Sequence, residues 1–268
     1  MEVLVSRHPV PGLLIQRART LAHSGGRRLL GIVGPPGAGK SSLAEGLVQE
    51  LAPLACHVPM DGFHLANTEL ARLRLQERKG APQTFDAGGY VALLERIAAC
   101  DEEVVYAPEY LREIEEPVAG SIPVPSSVPL VVTEGNYLLL DQGPWARVRP
   151  LLDEVWFVDV EAETRRSLLI GRHIRFGKEP EAARAWALGT DERNADLVAA
   201  TKHRADLVVP LALAALPRTA DDTLHGPDSS APDQASAGGW RSDDPDVRAK
   251  KVAEAGQQAA RADLAARQ

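Results

Sequence analysis

Residues 29–42 read Leu-Leu-Gly-Ile-Val-Gly-Pro-Pro-Gly-Ala-Gly-Lys-Ser-Ser, an apolar run, a glycine-rich loop and then a stretch of helix-forming sequence. No other segment restricts the fold so strongly. Gly34, Gly37 and Gly39 permit backbone angles that a Cβ would forbid, so successive N–H groups of the loop Gly34-Pro35-Pro36-Gly37-Ala38-Gly39 can turn inward around a phosphate. Lys40 is placed to reach β- and γ-phosphates, and Ser41 to offer its hydroxyl to Mg²⁺. Ser42 continues a helix whose positive end faces the anion. The segment therefore predicts a strand entering a nucleoside-triphosphate site, with ATP and Mg²⁺ as cofactors.

Short runs rich in branched aliphatic residues recur at 29–33, 56–60, 104–106, 130–133, 155–158 and 207–209. They alternate with helical patterns at 13–22, 41–51, 68–77, 89–99, 163–174 and 191–203. Strands this apolar need cover on both faces, which predicts an α/β fold: a doubly wound, mainly parallel sheet with helices on both sides. Residues 1–210 are expected to form this one catalytic domain. From 211 to 246 the chain turns to Asp, Ser, Gly and Pro with little to bury, which reads as a disordered linker. Residues 247–268 are rich in Ala, Arg, Glu and Gln and read as a helical or disordered tail with a thin apolar stripe.

Of the 268 residues 44% are hydrophobic and 25% charged, and the formal net charge is −7. Such a surface repels polyanions, so the expected partner is a small-molecule acceptor, with no nucleic acid and no membrane, the chain acting alone or as a homodimer. Cys56 and Cys100 lack metal-site spacing and read as reduced core thiols. Residues 1–12 carry Glu2, Arg7 and two prolines rather than the basic-then-apolar order of a secretion signal, and no apolar run approaches membrane-spanning length. The cytoplasm is the expected location.

Ligands of open α/β sheets gather beyond the carboxyl ends of the strands. Asp61 follows the run ending at Met60, and Glu134 follows 130–133 in the same way. Asp61 reads either as the base that takes an acceptor's proton or as a helix cap; Glu134 reads as a Mg²⁺ ligand or acceptor contact. Asp159 ends another strand, with a structural role as good a reading. The Asn-Lys-x-Asp tetrad of GTPases does not occur in the sequence. Arg172 and Arg175 share one helical face and are followed by Phe176-Gly177, as a cationic lid over a transferring phosphoryl group requires. Arg165 and Arg166 read as a solvated basic face. These features favour a phosphotransferase over the alternative, a non-catalytic ATP-dependent switch or chaperone, which has no use for a base aimed at an acceptor.

Together, the loop, Asp61-Gly62-Phe63, Thr133-Glu134-Gly135-Asn136-Tyr137 and the segment from Arg172 to Lys178 resemble the superfamily of uridine kinase, phosphoribulokinase and bacterial pantothenate kinase. The resemblance covers roughly 13–210 and is strongest to its bacterial nucleoside/nucleotide kinase or fructose-transport-system kinase branch. It implies that Asp61 is the base, that Glu134 assists magnesium and substrate, and that Arg172 and Arg175 are lid arginines. It also implies acceptor contacts from 78–86 and 106–113, with Tyr106 and Arg112 matching a Tyr and an Arg of related nucleoside kinases. Arg78 and His64 join them as candidates. Asn194, Thr201 and Arg204 are weaker candidates for the adenine side.

Overall fold

The computed structural model describes residues 10–210; the linker and tail expected over 211–246 and 247–268 lie outside them. In chain order the elements are α1 (Gly12–Ala22), β1 (Arg28–Val33), α2 (Lys40–Leu51), β2 (Ala55–Pro59), α3 (Asn67–Leu73), α4 (Ala87–Ala99), β3 (Val104–Leu111), β4 (Glu116–Pro125), β5 (Leu130–Gly135), β6 (Glu154–Asp159), α5 (Ala162–Arg175), α6 (Pro180–Trp186), α7 (Glu192–Ala199) and β7 (Leu207–Pro210). Five strands form one parallel sheet in the order β2-β5-β1-β6-β7. The expected doubly wound architecture is thus present.

The period of two along each strand splits the core into two layers. Leu29, Val33, Val131, Val155 and Phe157 face α4 and the segment that follows β5, packing with Tyr90, Leu94, Tyr137 and Trp145. Leu30, Ile32, Val132, Trp156 and Val158 face α1 and α2, packing with Ala18, Leu43 and Leu47. Every residue of β5 is buried, the pattern of a strand covered on both faces.

Two expectations change. The run at 104–106 is not a strand of the parallel sheet. It opens β3, which pairs antiparallel with β4 as a separate two-stranded ribbon, with a register shift between Ala107 and Glu109. The helix expected over 191–203 is shorter: Ala187–Asp191 is a turn of π-helix, α7 then runs to Ala199, and Lys202–Arg204 is a 3₁₀ turn. Ahead of these lies α6, which falls between the predicted helical segments 163–174 and 191–203. Among the described residues no helix is long and apolar enough to cross a membrane.

Candidate active site

β1 delivers the phosphate loop at its carboxyl end, and Gly39 adopts φ 86° in the left-handed region immediately before α2, a conformation that spares a glycine the Cβ clash. Lys40 is buried; its Nζ donates to the Asn136 side-chain oxygen at 2.7 Å and to the Pro35 carbonyl at 3.2 Å. The Ser41 hydroxyl donates to Glu134 Oε1 at 3.0 Å, which joins the start of α2 to the end of β5. The position of Asn136 beside Lys40, 96 residues away in sequence, is a tertiary fact that no local pattern carries.

Asp61 sits in the turn after β2. The β3–β4 ribbon packs tightly on the Gly62 that follows it, since a Cβ there would stand 2.3 Å from the Pro108 carbonyl oxygen. Arg112, from the loop after β3, places Nη2 3.5 Å from Asp61 Oδ2. Burial alone would push the Asp61 carboxyl up, but His64, then Arg112, Lys40 and Arg172 hold it below the ordinary carboxylate range. Glu134 goes the other way: burial and the negative charge of Asp61 raise it, against the opposing pull of Lys40, Ser41 and Arg112. Of the two acids, Asp61 is therefore the more readily ionised.

Beside Asp61 opens a cavity of about 340 Å³. His64 lies on its wall, its Nδ1 2.8 Å from the Asp61 carbonyl and its ring between those of Phe85 and Tyr110 at centroid distances of 4.0 and 4.7 Å. Lys79 lines the same wall, bonded to the Asn67 side chain at 2.7 Å and to the Glu115 carbonyl at 2.8 Å. Arg172 faces the cavity from α5, accompanied by Phe176 and Lys178.

Several sequence candidates stand elsewhere. Tyr106 is 58% exposed and does not line the cavity, because its strand neighbours Val105 and Ala107 point into the core. Tyr110, beyond the register shift, takes the place expected of it. Arg78 is exposed and faces the Gln83 amide at 3.1 and 3.2 Å, leaving the wall to Lys79. Arg175 is exposed at the end of α5 and does not line the cavity, whereas Arg172, one turn earlier, does. Arg165 is not a solvated residue: it is 3% exposed, bonded to Glu192 at 2.6 Å and to the Pro36 carbonyl at 3.3 Å. Asn194 donates to the Gly80 carbonyl at 3.2 Å on the cavity side. Thr201 closes its own turn by bonding Val198, and Arg204 donates to the Leu139 carbonyl. Asp159 holds Lys202 at 2.6 Å, the structural role anticipated for it.

No family model matches the chain. A Schizosaccharomyces pombe protein provisionally named a uridine kinase is 32% identical over 206 residues, covering 74% of this chain and 86% of that protein. The chain belongs to the uridine kinase-like P-loop kinases. An Aspergillus versicolor protein named as ATP-dependent kinase-like is 33% identical over 160 residues, 56% of this chain and 93% of its own length. The crystal structure of a protein from Silicibacter sp. TM1040, provisionally named a fructose transport system kinase, superposes with a TM-score of 0.66 at 33% identity, over 74% of this chain and 98% of that one. The kinase is thus an ATP-dependent enzyme of small-molecule phosphorylation, and the cavity lies beside its phosphate loop, whose Pro36 helps to line it.

The residues that could hold a magnesium ion can be judged by their chemistry. Ser41 and Glu134 offer adjacent oxygens at the phosphate loop, and Asp61 lies close enough to perturb Glu134 electrostatically. Among the described residues no cluster of three or more His, Cys, Asp or Glu side chains could hold a metal by itself. A cation bound here would take its remaining ligands from phosphates and water, as Mg²⁺ in nucleotide sites does.

Proposed function

We propose that the kinase transfers the γ-phosphoryl group of ATP to a hydroxyl of a metabolite seated in the cavity between Asp61 and the wall of His64, Tyr110 and Lys79. The observation that carries this reading is an ionised Asp61 on the wall of an open cavity that Arg112 and Arg172 also line, with the phosphate-loop Lys40 close enough to act on it. Asp61 accepts the proton of the acceptor hydroxyl as the oxygen attacks; Lys40 and Arg172 offset the charge of the transferring group and of the leaving diphosphate. Ser41 and Glu134 would hold Mg²⁺, whose charge would offset that of the phosphates. Arg112 lies between the two sites and orients Asp61. Nothing in this chemistry requires nucleic acid or a membrane, and we assign the kinase to the cytoplasm.

The acceptor is a nucleoside, a sugar or a pantothenate-like alcohol. Kinases with such acceptor names stand among its relatives, and the wall combines ring faces with charges that suit a polar molecule of that size. A coupled ADP-release screen over these three classes, with mass spectrometry of the product, tests the reading. The expected result is at least one acceptor that raises ADP release well above background hydrolysis and gains one phosphate. If all leave it at background, the switch reading replaces this one.

A further inference from the structure

The short stretch from Asp191 to Asn194 touches two separate parts of the site, α5 and the loop around Gly80, and reaches the phosphate loop through Arg165 of α5. Asp191 closes the π-turn Ala187–Asp191, a departure from α-helical geometry of the kind often found at functional sites. Its Oδ2 lies 2.7 Å from Nε2 of His173 on α5, and both side chains are largely buried. Glu192, the next residue, accepts from Nη2 of Arg165 and from Nη2 of Arg166, each at 2.6 Å. Arg165 in turn donates to the Pro36 carbonyl inside the phosphate loop, and a Cβ on Gly37 would stand 3.0 Å from the Arg165 carbonyl oxygen. Helix α5 is thus seated directly on the phosphate loop.

At the other end of the stretch, Asn194 donates to the Gly80 carbonyl at 3.2 Å. The same carbonyl accepts the Tyr137 hydroxyl, and the Gly80 N–H bonds the Thr84 hydroxyl at 3.0 Å. Gly80 belongs to the loop that carries Lys79 and leads to Phe85, both on the cavity wall. Bonds run from Pro36 through Arg165 to Glu192 and from Asn194 to Gly80, joined by the two-residue step of chain between Glu192 and Asn194, with His173 tying Asp191 to the cavity-facing part of α5. The residues involved are mostly buried or half-buried, and four of the bonds pair a carboxylate with a cationic or imidazole donor. The Arg166 bond, joined by Arg165, draws the Glu192 carboxyl down to about 2 despite its partial burial, so this junction stays ionised over the whole working range of pH.

We propose that Asp191, Glu192 and Asn194 are positioning residues that couple the phosphate loop and α5 to the acceptor loop, so that nucleotide binding orders the acceptor wall before the acceptor arrives. The inference rests on the reading that ATP lies on the phosphate loop and the acceptor in the cavity. Coupling of this kind is a free energy between two sites and has to be measured as one.

The experiment is hydrogen exchange by mass spectrometry on the full chain, with and without a saturating magnesium complex of β,γ-imido-ATP, following residues 34–41 and 76–84. In the wild type, nucleotide should slow exchange in both segments. Asn194→Ala should keep the slowing at 34–41 while the slowing at 76–84 falls about fivefold or more, the low end of ordinary coupling strengths. His173→Ala should act in the same direction, and His173→Gln, which keeps a donor for Asp191, should restore the transfer. A residue that merely braces the loop would change exchange at 76–84 equally with and without nucleotide. The proposal is overturned if the wild type protects 34–41 but not 76–84, or if both Asn194→Ala and His173→Ala retain the wild-type response. Absence of protection at 34–41 in the wild type would instead remove the nucleotide reading, and the coupling with it.

Discussion

Lys40 is held among charges of both signs, and burial outweighs them: its ammonium is lowered to about 8, with Glu134 and Asp61 pulling it up and Arg172 and Arg112 pushing it down. Phosphates arriving beside it favour the charged form, so nucleotide binding raises this pKa and takes up a proton where the free Lys40 is neutral. Below about pH 7 free Lys40 is already charged and its titration adds no pH dependence to affinity; as pH climbs through about 8 towards 9, ATP affinity should fall, by up to about tenfold per unit. Calorimetry at pH 8 in buffers of different ionisation enthalpy should report net proton uptake. Proton release, or an affinity that rises with pH, would contradict the burial of a charged lysine as the source of the effect. At this scale the sequence was informative wherever a residue type has a fixed job at a fixed offset: Lys40, Ser41, Asp61 and Glu134 all follow strand ends or the glycine loop. It was silent on Asn136, His173 and Asp191, whose partners lie 18 to 96 residues away.

Among the elements, the β3–β4 ribbon shows why the acceptor wall was hard to read. β4 contains Pro117, Pro123, Pro125 and Gly120, residues that argue against a strand in the interior of a sheet and are tolerated in an isolated two-stranded ribbon. The register shift between Ala107 and Glu109 then places Tyr110 on the cavity wall, where Tyr106 had been expected. With the acceptor found by the screen, Tyr110→Ala should raise acceptor KM roughly three- to tenfold, the cost of losing one aromatic contact, while Tyr106→Ala should stay within about twofold. Steady-state kinetics on the two variants decide it; the reverse pattern would put the acceptor on the outer face of the ribbon. The lid region shows the same difficulty. Arg165 and Arg166 look like a solvated pair in sequence, yet the close seat of α5 on the phosphate loop buries the first and gives both to Glu192.

For the whole molecule, the parallel sheet and its two-layered core follow from apolar strands alternating with amphipathic helices, and five of the six expected strands pair as a doubly wound sheet demands. What the periodicities could not convey is how the segments outside the sheet, the ribbon and α6 with α7, close over one end of it. That closure sets a cavity lined by Asp61 beside the phosphate loop, the arrangement on which the proposed transfer rests. The most direct measurement of this account is therefore kcat and ATP affinity of Asp61→Asn, with wild type alongside and the screened acceptor present. The amide keeps the shape of the side chain but cannot take the acceptor's proton, so kcat should fall by about 10²–10⁴-fold. ATP affinity should not weaken, because a negative charge beside Lys40, Arg112 and Arg172 has been removed. A variant that turns over at the wild-type rate, or one that loses ATP binding together with kcat, would contradict the assignment of Asp61 as the base.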